Sequence, residues 1–411
     1  MEKCPYSPFL HIFCQFLVFT TLILPPSFPS SLRRLFFIPI AAITYHLAFR
    51  SSTGDVFTDF GVASGIISQG VVALDFVLLH DPRFELRQKK RRELAKGKDK
   101  GEQGDTLDGG PGKTLMERVA WAFSLLVNPR GYGWSNEPAP GILPPRPPAN
   151  LTRPRFLINQ LLKLLFLVSL EVAAYVLNDY NPTMRRNSVI WHSSWPLRAI
   201  AVLGACAAGY ARINMCYCLS AIITVALGLS EPQGWPNLYG NIWDAWSVGM
   251  FWSRVWHQML RRVSPPNFFF VKFQSSCFLT FNFQPLCQRN MVYDFLRLFV
   301  VFLVSGIIHG AGGYMTLDAF DFNFVLFFIL QPPVIVLEKF ALPLLFSDPK
   351  NPNTFERLFG IGFVLGWFTL TAPLFVDSMI RVGLFEDEKG TLGYLVVNYL
   401  LPRVGIELGR S

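Results

Sequence analysis

Residues 300–314 read VVFLVSGIIHGAGGY. Carried back to residue 294, they form a largely apolar run of about 20 residues, the length a helix needs to cross a bilayer core. His309 sits well inside this run, flanked by Ser305, Gly306, Gly310, Gly312 and Gly313. An ionisable side chain at membrane depth is costly, so it marks a functional position unless a neighbouring helix simply hydrogen-bonds it. The glycines strip bulk from the helix around it and leave room for another helix or a ligand.

The same pattern recurs along the chain. Residues 9–24, 35–49, 60–79, 156–177, 197–229, 322–346 and 355–380 are apolar runs of comparable kind, and 392–401 is too short to cross. Residues 197–229 would make a helix of roughly 50 Å, which must tilt or continue past the bilayer. The run 322–346 is expected to bend at Pro332-Pro333. Composition agrees: charged residues are 16% of the 411, against about a quarter in soluble domains, and 51% are hydrophobic. The fold expected is all-α, a multi-pass integral membrane helical bundle of about eight spans, with residues 1–411 forming a single membrane-embedded domain.

One hydrophilic insert interrupts it. Residues 83–100, RFELRQKKRRELAKGKDK, carry the densest positive charge and follow directly on a span. That placement explains the net charge of +9 as a cytoplasmic basic loop, so no nucleic-acid partner is implied. Residues 86–114 have few large apolar side chains and are expected to be disordered. GPGKT at 110–114 is not a phosphate-binding loop, because Leu107 stands where its first glycine is required. Residues 115–127 suit a short amphipathic helix lying on the membrane. Three crossings before the basic loop put the N-terminus in the lumen and residues 235–262 on the cytoplasmic side. Glu171, inside an apolar run, is expected to be paired within the bundle, and Arg212 and Asn214, near the centre of 197–229, to face protein or a cavity and not lipid. Seven cysteines show no zinc spacing (Cys216-x-Cys218; Cys277 and Cys287), so neither a metal nor a disulfide framework is expected.

Residues 235–262, WPNLYGNIWDAWSVGMFWSRVWHQMLRR, hold five of the ten tryptophans. From 241 to 262 there is no proline, and a continuous helix is expected. On it Ser247, Arg254 and Arg261 would share one edge, His257 would lie beside the arginines, and Trp252 and Trp256 would form an aromatic face. The plain reading is an interfacial amphipathic helix, with Trp at headgroup level and Arg in water. It leaves a histidine between arginines unexplained.

Residues 251–258, FWSRVWHQ, followed by SGIIH at 305–309, resemble the wax-synthase-like branch of the membrane-bound O-acyltransferase superfamily. LGL at 227–229, WPNLYG at 235–240 and LDFVLL at 74–79 fit the same pattern, so the resemblance runs from about residue 70 to 345. It is nearest in kind to fungal members that acetylate hydroxyls of terpenoid and meroterpenoid metabolites. The resemblance implies acyl transfer from an acyl-CoA to an alcohol in a membrane-embedded tunnel. His309 corresponds to the family's catalytic histidine and His257 to its second polar position. A neutral imidazole suits the task, since an alcohol attacks a thioester poorly until a base takes its proton. His257 or an indole N–H would support the developing oxyanion.

Trp252, Arg254, Trp256, Arg261 and Arg262 are the expected substrate contacts, the arginines on the phosphates of CoA or, alternatively, on anionic lipid. Acetyl-CoA is the expected co-substrate, with no tightly bound cofactor and no metal. A hydrophobic alcohol and the lipid bilayer complete the partners, and the endoplasmic reticulum membrane is the expected location. A wax-ester synthase using a long-chain alcohol is the nearest alternative. A transporter is the rival class, against which no internal repeat is visible. Residues 267–290 are dense in Phe and mixed in polarity, which fits a re-entrant or surface segment and equally a retained intron.

Overall fold

The computed structural model of the protein describes residues 3–90, 106–185, 188–259, 288–349, 351–385 and 391–403. They fall into two compact units. One comprises Met1–Gly54, Asp59–Pro140 and Gln258–Arg297; the other comprises Asp55–Thr58, Gly141–His257 and Leu298–Ser411.

In the first unit, α1 (Pro8–Ile23) starts where Ser7 accepts the Leu10 N–H and Pro8 takes the first turn. Helices α2 (Ser30–Arg34), α3 (Phe37–Phe49) and α4 (Val56–Ala73) follow. Cys14 and Val18 of α1 bury against Ile40 of α3 and against Ala73 and Val77. The end of α4 widens into a π turn, Leu74–Leu79, closed by the His80 N–H on the Asp75 carbonyl at 2.8 Å. Two buried arginines tie this end to the α1–α2 connection. Arg33 donates to the carbonyls of Phe76 (2.6 Å) and His80 (2.9 Å). Arg83, in the short α5 (Pro82–Glu85), holds Asp81 through both carboxylate oxygens and donates to the Pro25 carbonyl.

The insert 86–114 is paired at its ends. Strand Gln88–Lys90 runs antiparallel to strand Thr106–Gly109, while residues 91–105 lie outside the described residues. A capping box between Thr114 and Glu117 starts α6 (Leu115–Leu126). Trp121, Ala122 and Leu125 on one side of it pack into a cluster with Leu22, Phe76 and Trp134, while Leu115, Met116 and Phe123 remain exposed. The Phe-rich 267–290 segment lies outside the described residues but for 288–290, which open the helix that carries His309.

The second unit is framed by two long helices, α7 (Arg153–Tyr180) and α8 (Trp195–Ala226). Phe156 packs with Ala221, Leu167 with Met215, and Asn178 with Gly204, so the helices run antiparallel. At 32 residues α8 is about 48 Å long and is a single helix, as its apolar length required. Glu171 and Arg212 meet between them at 3.2 Å, and Asn214 is buried, so the polar groups of these spans face protein as expected.

Helix α9 (Val248–Met250) belongs to the site. Beyond it lie α10 (Gln288–Leu317), α11 (Phe322–Ile329), α12 (Gln331–Leu345), α13 (Thr354–Thr371) and α14 (Pro373–Arg381). The helix is interrupted at Leu330, just before the Pro332-Pro333 where a bend was expected, yet Phe322–Leu345 still counts as one span. Among the described residues six helical stretches are long and apolar enough to cross a membrane. A seventh arises if α13 and α14, bent by 43°, form one span. The expected eight is reached only by adding α1, whose 16 residues extend about 24 Å.

Candidate active site

The Trp-rich stretch does not form the continuous helix its composition suggests. A 3-10 turn at Ile242–Asp244 is capped by Asn241. The chain then restarts at Ser247, whose hydroxyl accepts the Met250 N–H at 3.0 Å. The carboxylate of Glu338 on α12 takes the N–H groups of Val248 (2.6 Å) and Gly249 (2.8 Å). Those donors are thus satisfied from outside, which makes this a helix start, not a continuation. After α9 the backbone winds into a π turn, Phe251–Val255, closed by Trp256 N–H on the Phe251 carbonyl. The Val255 carbonyl is then claimed by the Gly240 N–H at 2.9 Å, and Trp256 leaves in extended conformation. Arg254 and His257 therefore do not share a helical edge. Arg254 is exposed; Arg261 and Arg262 lie outside the described residues.

Trp252 is the centre of an aromatic cluster. Around it lie Phe251 (5.2 Å between ring centroids), Phe302 (5.5 Å), Phe368 (5.9 Å), Phe328 (6.0 Å) and Trp256 (6.2 Å). Most of these contacts are edge-to-face, the arrangement aromatic quadrupoles favour. The indole N–H of Trp252 is donated to Gln331 Oε1 at 3.3 Å, which also accepts from Trp367 Nε1 at 3.1 Å. Gln331 is fully buried (0% exposed), and its amide nitrogen donates to the Phe327 carbonyl at 2.8 Å.

His309 lies on α10 in this aromatic surround. Its ring stacks on Phe328 at 5.2 Å with planes 5° apart, and Phe375 of α14 meets it edge-on at 5.2 Å. The room left by its glycines is taken by a helix: Cβ atoms at Gly306 and Gly313 would crowd Val325 and Phe324 of α11. His257 packs against Trp256 (5.4 Å) and meets Tyr239 nearly perpendicularly (6.0 Å, 81°). The contacts His309–Phe328–Trp252–Trp256–His257 therefore join both histidines through an unbroken aromatic path.

His257 lies outside the spans, and burial pushes its imidazole down to about 4, so it is neutral at ordinary pH. Its Nδ1 is buried with no hydrogen-bond partner among the described residues. Together these groups set a neutral imidazole, that of His257, at one end of a wall of aromatic rings.

The sequence reading picked out His257, His309, Trp252, Arg254 and Trp256, and the structure brings all but the exposed Arg254 into one cluster. It missed Gln331, Glu338 and Tyr239. The first two were visible as polar residues inside the apolar run 322–346, the same signal that drew attention to Glu171.

Residues 235–330 match the family model described as the membrane bound O-acyl transferase family, a segment that holds both histidines. An acetyltransferase of Hericium erinaceus is 27% identical over 359 residues, covering 86% of this chain and 87% of its own. An acetyltransferase of Rhodocybe pseudopiperita is 25% identical, covering 97% of this chain and 99% of its own. An O-mevalon transferase of Aspergillus niger is 27% identical over 68% of this chain and 66% of its own. No solved structure matches.

Proposed function

We propose that this chain, a multi-pass membrane protein resembling the membrane-bound O-acyltransferases, transfers an acetyl group from acetyl-CoA to a hydroxyl of a hydrophobic, terpenoid-type metabolite. Acyl transfer itself is what the family match and the relatives support. The relatives that cover 86% and 97% of the chain are acetyltransferases, which favours a short acyl group. The observation that carries the reading is the aromatic path joining His309 to His257 within the matched segment.

In this reading His309 takes the proton of the acceptor hydroxyl as its oxygen attacks the thioester carbonyl carbon. General-base assistance of this kind is worth about 10²–10⁴ in rate. The aromatic walls seat an apolar acceptor and keep water, the competing nucleophile, from the thioester. Arg254, exposed beside the site, is proposed to meet the phosphates of CoA together with Arg261 and Arg262. No metal and no tightly held cofactor enter. The basic loop, the arginines of 235–262 and the donor all belong on the cytoplasmic side of the endoplasmic reticulum membrane.

The test uses membranes containing the full chain, labelled acetyl-CoA and a panel of hydroxylated terpenoids, with fatty alcohols and long-chain acyl-CoA as the comparison. Label transferred to a terpenoid ester is the expected result. Transfer only of long acyl groups to fatty alcohols would make the protein a wax-ester synthase, and no ester from any pair would overturn the reading.

A further inference from the structure

The reaction needs a donor for the oxyanion that forms when an alcohol adds to a thioester. Three indoles, those of Trp252, Trp367 and Trp256, and the imidazole of His257 lie in or against the cluster, Trp256 packing on both His257 and Tyr239. The indole N–H of Trp252 is already given to Gln331, and Trp367 gives its own to the same oxygen. A buried hydroxyl beside His257 is uncommitted instead. Tyr239 is only 6% exposed, and its oxygen has no hydrogen-bond partner among the described residues. Buried hydroxyls are seldom left unpaired, because nothing replaces the water they lose.

The ring that carries this hydroxyl is firmly placed. Tyr210 of α8 packs on it at 4.4 Å, Trp256 meets it at 5.3 Å and His257 at 6.0 Å. Its backbone is tethered next door, where Gly240 donates to the Val255 carbonyl. A side chain at Gly240 would collide with the Arg254 carbonyl, so only glycine allows the two strands of chain this close. Burial pushes the Tyr239 hydroxyl up, so it keeps its proton and remains a donor.

We propose that Tyr239 is a further catalytic residue, whose hydroxyl, beside the imidazole of His257, receives the carbonyl oxygen of the thioester donor. The inference rests on the acyl-transfer reading above. As the acceptor oxygen bonds to the carbonyl carbon, its proton passes to His309 and the C=O electrons move onto oxygen. Tyr239 O–H donates to that oxyanion. The oxyanion then re-forms C=O, the C–S bond breaks, and the CoA sulfur leaves with the proton held by His309. Nothing is oxidised or reduced. A donor aimed at the oxyanion binds the transition state more tightly than the ground state, so its loss appears in kcat and not in KM.

Tyr239→Phe removes one oxygen and keeps the ring that packs on Tyr210, Trp256 and His257. With acetyl-CoA and a responsive alcohol, the variant is expected to lose about 10²–10³ in kcat, the usual effect of deleting one oxyanion donor. KM for acetyl-CoA should stay within about twofold. Inhibition by trifluoroacetonyl-CoA, whose hydrated ketone mimics the tetrahedral centre, should weaken by a similar factor. A variant that keeps more than about half of wild-type kcat overturns the proposal, as does one whose loss lies in KM with inhibition unchanged. Wild-type membranes assayed in parallel separate the two readings, since absent wild-type transfer defeats the proposed reaction, whereas active wild type with active Tyr239→Phe defeats only this assignment.

Discussion

The imidazole of His309 lies flat on the ring of Phe328, with planes 5° apart and centroids 5.2 Å apart. Phe328 in turn touches Trp252, so the orientation of the proposed base is set by the same rings that wall the site. His309→Ala should therefore remove the base without removing a packing anchor, since Phe328 keeps Phe302, Phe327 and Phe375 as neighbours. Turnover is expected to fall by at least tenfold and by as much as about 10⁴-fold, with membrane insertion intact. Steady-state rates of purified protein check this; a variant with more than a tenth of wild-type rate would remove His309 from that role.

Gln331 is the hinge of the cluster's hydrogen bonding. One oxygen accepts two indole N–H groups in a fully buried setting. Gln331→Leu strands both donors, at about 1–3 kcal/mol each for a buried unpaired group. The variant should unfold at clearly lower temperature in detergent, followed by tryptophan fluorescence, and Gln331→Glu, which keeps an acceptor, should be less affected. Identical melting of wild type and the leucine variant would show that the shared bond contributes nothing.

The bundle was legible in the sequence because spans are written in long apolar runs, and α8 and the helix break before Pro332 fall where those runs put them. Glu171 and Arg212 were likewise legible, since two charges at membrane depth have few other ways to be satisfied. The course of 235–257 was not. The proline-free run from 241 favours a helix, yet the donors at Val248 and Gly249 are satisfied by Glu338, some 90 residues away in sequence. The Val255 carbonyl likewise goes to Gly240 and not to a later turn. Long-range partners of this kind leave no periodic trace. Tyr239 was quoted only as part of a motif, because its packing against His257 depends on that same fold-back.

Gly240→Ala tests the fold-back directly. The added methyl would collide with the Arg254 carbonyl, a backbone atom that cannot swing aside. The 238–240 segment and the π turn must then separate, which moves Tyr239 away from His257. Transfer activity is expected to drop at least as far as in Tyr239→Phe, with protein level in membranes within about twofold of wild type. Retained activity would show that the close approach is not needed for the site.

Arg254→Ala should raise KM for acetyl-CoA more than for the alcohol, because a guanidinium on the exposed edge of the site would meet phosphate and not an apolar acceptor. The same shift should shrink as salt is raised, since exposed charges are screened. Equal changes in both constants would assign Arg254 to anchoring the turn or to lipid.

His257 supplies a test that does not depend on turnover. Burial holds it down to about 4, against an ordinary value of 6.5. Between these values the unfolded chain binds a proton that the folded chain does not, so folded stability contributed through this group falls as pH drops through that window. Above about 6.5 both states are neutral and the contribution is flat. The ring is partly exposed, so solvent will soften the slope without reversing it. His257→Asn, which has no proton to gain, should lose less thermal stability than wild type on going from pH 7 to pH 5. Melting curves of both proteins in one detergent, recorded across that range, give the answer. If the two fall in parallel, His257 is not held neutral by the fold, and the pairing of a neutral imidazole with Tyr239 would lose its basis.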